Sequence, residues 1–139
     1  MNGSEKALIA LLRALGVLCL LATFAVFMPL RWMAVVHDWL GVGRFPEGRI
    51  VEYLARSLSA LYAFHGGLLL LISTDVRRYA GVVTYVAVAC LAFGVLILAI
   101  DLSIGMPLHW TLQEGPYVLI MGLAILLLQR KARRPGDAH

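Results

Sequence analysis

Charge is scarce in this sequence. Only 14% of its 139 residues are Asp, Glu, Lys or Arg, where a water-soluble domain carries about 25%. The polar surface needed to dissolve such a chain in water is missing, which excludes an ordinary soluble domain. Cysteine is nearly absent too. Cys19 and Cys90 each sit in the middle of an apolar stretch, where burial makes a thiol inert, so no structural disulfide is expected and both read as packing residues. No glycine-rich phosphate loop, metal-ligand spacing or nucleophile–base pattern occurs. The chain therefore reads as a non-enzyme. Sustained alternation of apolar and polar residues is also missing, which excludes a membrane β-barrel.

Apolar residues fill the space, at 61% of the chain. They gather in four runs, 7–30, 51–72, 80–103 and 111–128, and a helix needs about 20 apolar residues to cross the hydrocarbon core. Lipid leaves no backbone group unpaired, so each run must be helical. The fold expected is all-α: a four-transmembrane-helix antiparallel bundle, one integral membrane domain over 1–139, with the lipid bilayer as its first partner. Arg13 interrupts the first run, and no small-x-small cleavage site follows, so this run reads as an uncleaved span rather than a signal peptide.

The net charge of +4 follows topology. Lys6, Arg13, Arg77, Arg78, Arg130, Lys131, Arg133 and Arg134 precede span one, lie near its start, join spans two and three, or follow span four. In a four-span chain these places share one side; Arg31, Arg44 and Arg49 lie on the other. The positive-inside rule puts both termini in the cytoplasm. Orientation accounts for the charge, so no nucleic-acid partner is expected.

Between spans one and two, Trp32, Val35, Val36, Trp39 and Leu40 recur at i, i+3, i+4, i+7 and i+8. This predicts an amphipathic helix over 31–40 lying in the interface plane. Its tryptophans suit an aromatic belt. A lid over the bundle mouth is the alternative. Gly41, Gly43, Pro46 and Gly48 then make a turn-rich loop. Span four is expected to start at Thr111, because Thr111-Leu112-Gln113-Glu114 matches a capping box, with a local distortion at Pro116. Small residues at Ala10 and Ala14, Gly66 and Gly67, Ala87 and Gly94, and Gly115 and Gly122 allow close helix approach.

A few polar residues are out of place. Glu52 and Arg56 stand four apart, the favourable order for an ion pair within a helix, and Ser59 and Tyr62 share their arc. Asp101 occupies the last turn of span three, where the helix dipole disfavours a carboxylate. Glu52 and Glu114, read as helix-start residues, are favoured by it. The expectation is a polar cluster of Glu52, Arg56, Asp101 and Glu114, in which Asp101 takes Arg56 as its cation. Such a cluster fixes helix register, or handles protons or a ligand. His65, midway through span two and followed by Gly66-Gly67, either bonds a neighbouring carbonyl or contacts a haem or quinone, with Tyr62 and Ser59 beside it. His37 and His109 belong at the outer edge and are weak metal candidates. His139 sits in a tail that reads as unstructured. No cofactor is otherwise implied.

The run from Glu52 to Gly67, Glu-Tyr-Leu-Ala-Arg-Ser-Leu-Ser-Ala-Leu-Tyr-Ala-Phe-His-Gly-Gly, followed by Asp75-Val76-Arg77-Arg78, resembles small bacterial DoxX-like four-helix integral membrane proteins. The resemblance extends over the whole chain in hydropathy. It implies the four-helix fold and a bacterial inner membrane, and assigns no residue a role. Three functional expectations follow. The first is an accessory or scaffold subunit of a membrane complex, or a self-associating bundle. The second is a redox-linked component binding quinone or haem near His65. The third is a small transporter or proton path, disfavoured by the absence of discontinuous helices and inverted repeats.

Overall fold

The computed structural model describes residues 2–133; Arg134 and His139 lie outside them. Within that range the elements are α1 (Gly3–Leu20), α2 (Ala22–Phe27), α3 (Leu30–Trp39), α4 (Arg49–Ser73), α5 (Ala80–Ile104) and α6 (Leu108–Arg133). Four helical stretches are long and apolar enough to cross a membrane: Gly3–Phe27, Arg49–Ser73, Ala80–Ile104 and Leu108–Arg133. The chain is an all-α, multi-pass membrane protein. It divides into two compact units, Met1–Arg13 with Leu71–His139, and Ala14–Leu70.

The first unit is built on the α5–α6 hairpin. Gly94 lies against Leu119, Gly115 against Leu98, and Gly122 against Ala87 and Cys90. Numbers fall on one helix as they rise on the other, so the pair is antiparallel. The buried residues Ala87, Gly94 and Asp101 on α5, and Gly115, Gly122 and Gln129 on α6, recur every seventh position. That period keeps one seam facing its partner along the full contact. Small side chains let the backbones meet: a Cβ at Gly122 would stand 2.9 Å from the Ala87 carbonyl oxygen. The seam is polar at both ends, with Asp101 at one and Gln129 at the other.

The turn between these helices is set by Gly105, which ends α5 at φ 74°, a left-handed conformation that favours glycine. Its N–H and that of Met106 both bond the Asp101 carbonyl. Span four then starts earlier than the capping-box pattern suggests. The Pro107 carbonyl accepts the N–H groups of Trp110 at 2.9 Å and Thr111 at 3.1 Å, so helix geometry is established before Thr111 is reached. The Thr111 hydroxyl points back to that same carbonyl at 3.4 Å. Glu114 consequently lies within α6, not at its start, and its carboxylate accepts the Trp110 indole N–H at 2.6 Å. α6 continues through Pro116 without a break, although proline offers no N–H to the carbonyl four residues earlier.

Span one, whose residues from Ala14 onward belong to the second unit, is two helices. α1 ends at Leu20, a turn at Leu21 follows, and α2 ends at Phe27 with Met28 extended at φ −65°, ψ 133°. Pro29 then opens α3, its carbonyl accepting Trp32 and Met33 N–H groups. α3 covers the stretch expected to be amphipathic. Trp32, Val35, Val36, Trp39 and Leu40 are exposed, and Met33 is buried. The apolar stripe thus lies on the surface of the protein, where lipid can receive it.

Within this unit α1 meets α4 at glycine. A Cβ at Gly66 would fall 2.6 Å from the Gly16 carbonyl oxygen and 2.8 Å from the Leu20 nitrogen, whereas one at Gly67 would meet nothing within 4 Å. Ala10 and Ala14, expected at close approaches, are both exposed. The buried residues of α1 are instead Glu5, Leu8 and Leu12 in the first unit and Gly16 in the second.

Candidate functional site

On α4 the expected Glu52–Arg56 pair is present. Arg56 Nε and Nη2 lie 3.0 and 2.9 Å from one Glu52 oxygen. Its remaining donors do something the sequence did not suggest. Nη1 donates to the Val26 carbonyl and Nη2 to the Met28 carbonyl at 3.1 Å. These carbonyls lie at the end of α2, where helix geometry leaves acceptors unsatisfied and the dipole favours a cation. Arg56 is therefore a C-terminal cap delivered by another helix. Ser59 donates to the Ala55 carbonyl at 2.8 Å within its own helix. His65 is half-buried, and Tyr62 sits one turn away at the edge of exposure. His37 Nδ1 donates to the Gly43 carbonyl at 2.8 Å, made reachable by the φ of +94° at Gly43, and its ring meets Phe45 edge-on at 5.4 Å.

Asp101 and Glu114 belong to the other unit. Asp101 is 5% exposed, and its Oδ2 has no hydrogen-bond partner among the described residues. The helix register sets it level with the start of α6, near buried Thr111. His109 is exposed on the first turn of α6. Among the described residues no three His, Cys, Asp or Glu side chains form a group able to hold a metal ion.

The most developed polar assembly lies at the opposite end of the first unit, among residues read above only as topology signals or not singled out. Asn2 Oδ1 accepts the Glu5 N–H at 2.9 Å, capping α1, and Asn2 Nδ2 reaches the Ala132 carbonyl at 3.3 Å. The beginning of α1 and the end of α6 therefore meet. The Glu5 carboxylate is buried and accepts two bonds from Arg77, from Nε at 2.9 Å and Nη2 at 2.8 Å. That bidentate fork is the strongest geometry available to a guanidinium. The hydrogen bond and charge of Glu5 push the Arg77 pKa upward, although the Arg77 side chain remains 71% exposed.

Beside this pair, Gln129 is buried and bridges α5 and α6. Its Nε2 donates to the Ala80 carbonyl at 2.6 Å, and its Oε1 accepts the Thr84 hydroxyl at 2.9 Å. Arg133 Nη2 donates to the same Ala80 carbonyl at 3.1 Å, and Arg13 Nε reaches the buried Ser73 hydroxyl at 3.4 Å. Together Glu5, Val76, Arg77, Ala80, Gln129, Ala132 and Arg133 line a cavity of about 130 Å³. The sequence did carry hints. Asn2-Gly3-Ser4-Glu5 has the spacing of a helix start, and Gln129 is an uncharged polar residue standing between the apolar run 111–128 and the basic residues that follow.

No family model, curated protein or solved structure matches this chain.

Proposed function

We propose that the chain is a non-enzymatic protein of a bacterial inner membrane, an accessory or scaffold subunit that works by lateral packing against other membrane subunits or copies of itself. The DoxX-like resemblance and the placement of its basic residues support that compartment, with both termini in the cytoplasm. The observation that carries the reading is where its polar groups are used. Arg56 caps the end of α2, Glu114 binds its own helix, and Gln129 joins α5 to α6. These are bonds that hold helices in place. Large side chains on the long helices, among them Phe64, Tyr85 and Leu102, are left exposed for lipid or a neighbouring subunit.

Native mass spectrometry of the tagged protein, extracted gently from its own membranes, tests this. A second polypeptide at fixed stoichiometry, or a defined homo-oligomer, is the expected result. A co-purifying haem or quinone, with a reduced-minus-oxidised absorbance change lost on His65→Ala, would replace it with the redox-linked reading. One observation favours a proton path instead: the unpartnered Oδ2 of buried Asp101. Proton flux into liposomes that disappears with Asp101→Asn would establish that alternative.

A further inference from the structure

We propose that the cavity between the start of α1 and the end of α6 is a binding site for the phosphate of an anionic phospholipid. This inference stands apart from the accessory-subunit reading, because it concerns a lipid and not a protein partner. The cavity measures about 130 Å³, whereas a single water needs only about 10–15 Å³. Two guanidinium groups line it, Arg77 from the loop before α5 and Arg133 from the last turn of α6.

Each guanidinium has five N–H donors. Glu5 engages Nε and Nη2 of Arg77, and Ala80 engages Nη2 of Arg133, so each Arg has donors outside those bonds. Glu5 neutralises one of the two cations and holds it in place, which leaves the cavity with one net positive charge. Arg78, Arg130 and Lys131 add charge at the same end of the unit. The location decides between sources of phosphate. The lining residues come from the first turns of α1 and α5, the loop before α5 and the last turns of α6, where spans leave the hydrocarbon and lipid headgroups lie. Basic pockets between transmembrane helices on the positive side suit anionic headgroups. Val76 and Ala132 give the rest of the lining apolar surface, suited to the glycerol end of a lipid.

The test is native mass spectrometry of the full chain in detergent, titrated with phosphatidylglycerol, phosphatidylcholine and soluble glycerol phosphate. The expected result is one phosphatidylglycerol retained about fivefold more tightly than phosphatidylcholine, whose phosphate is neutralised by its own choline, the worth of one basic residue facing an anionic lipid. Arg77→Lys keeps the charge but removes Nη1, which the Glu5 bonds leave for the phosphate, so it should lower that retention about tenfold. Arg133→Gln should weaken retention far more than Arg130→Gln, a control that removes equal charge outside the cavity. Circular dichroism of each variant separates a folding defect from loss of lipid, and the double variant Glu5→Gln/Arg77→Gln, which leaves no buried carboxylate unpaired, should fold and lose phosphatidylglycerol retention as Arg77→Lys does. Equal losses for Arg133→Gln and Arg130→Gln, or an unchanged Arg77→Lys, would mean diffuse surface attraction and overturn the proposal. Displacement of lipid by equimolar glycerol phosphate would overturn it in favour of a free-phosphate site.

Discussion

Gly66 and Gly67 are adjacent, mid-helix and identical in composition, yet alanine should act oppositely at the two. Alanine gains about 1 kcal/mol over glycine in a helix interior, and both positions receive that gain. At Gly67 the new methyl meets nothing within 4 Å, so Gly67→Ala should stabilise by up to about 1 kcal/mol. At Gly66 the methyl would sit 2.6 Å from the Gly16 carbonyl oxygen and 2.8 Å from the Leu20 nitrogen. Both are backbone atoms, so no rotamer change relieves them and α1 must move away. Overpacking of this kind costs about 1–3 kcal/mol. After the propensity gain, Gly66→Ala should be between neutral and about 2 kcal/mol destabilising, leaving it about 1–3 kcal/mol below Gly67→Ala. Reversible unfolding by sodium dodecyl sulfate in mixed micelles, followed by circular dichroism, resolves a gap of that size. Equal stability for the two variants would refute the close approach of α1 and α4.

Arg56→Met should destabilise by about 2–4 kcal/mol in the same assay, because it strips α2 of two charge-assisted bonds to its terminal carbonyls; the part-exposed Glu52 pair adds little. Glu52→Gln, which leaves the carbonyl contacts intact, should cost less than half as much. Gln129→Leu should cost about 1 kcal/mol, in the range found for hydrogen bonds between membrane helices; Thr84→Val should cost less, since the Ala80 bond survives. Asp101→Leu should be neutral or stabilising, because it removes a buried oxygen, Oδ2, with no hydrogen-bond partner among the described residues, and a loss above about 1 kcal/mol would show that the carboxyl is satisfied. Trp110→Phe, assayed by the same unfolding, should lower stability by about 1 kcal/mol through loss of the Glu114 bond.

The spans were legible because hydropathy depends on composition over about 20 residues and tolerates errors at the ends. The amphipathic helix was legible because its stripe has a helical period. Finer features depended on pairings between distant residues. Glu5 and Arg77 are 72 positions apart, and charge counting sees in Arg77 only an orientation signal. Gly66 and Gly67 look alike in sequence, and only the azimuth of α4 against α1 separates them. Thr111–Glu114 has the spacing of a helix start, but Pro107 precedes it with a carbonyl already in place to begin the helix. Arg56 was recognisable as paired with Glu52. Its larger task was hidden, because the acceptors are backbone carbonyls, which carry no sequence signal.

That cap also bears on how the protein is made. The carbonyls at the end of α2 find their donors on α4, a segment the ribosome delivers about thirty residues later. Until α4 arrives, the last turn of span one has only water or lipid headgroups to satisfy it. The first two spans therefore reach their final hydrogen bonding only together. A chain stalled after residue 40 would hold its first span without that cap, because the donors belong to residue 56.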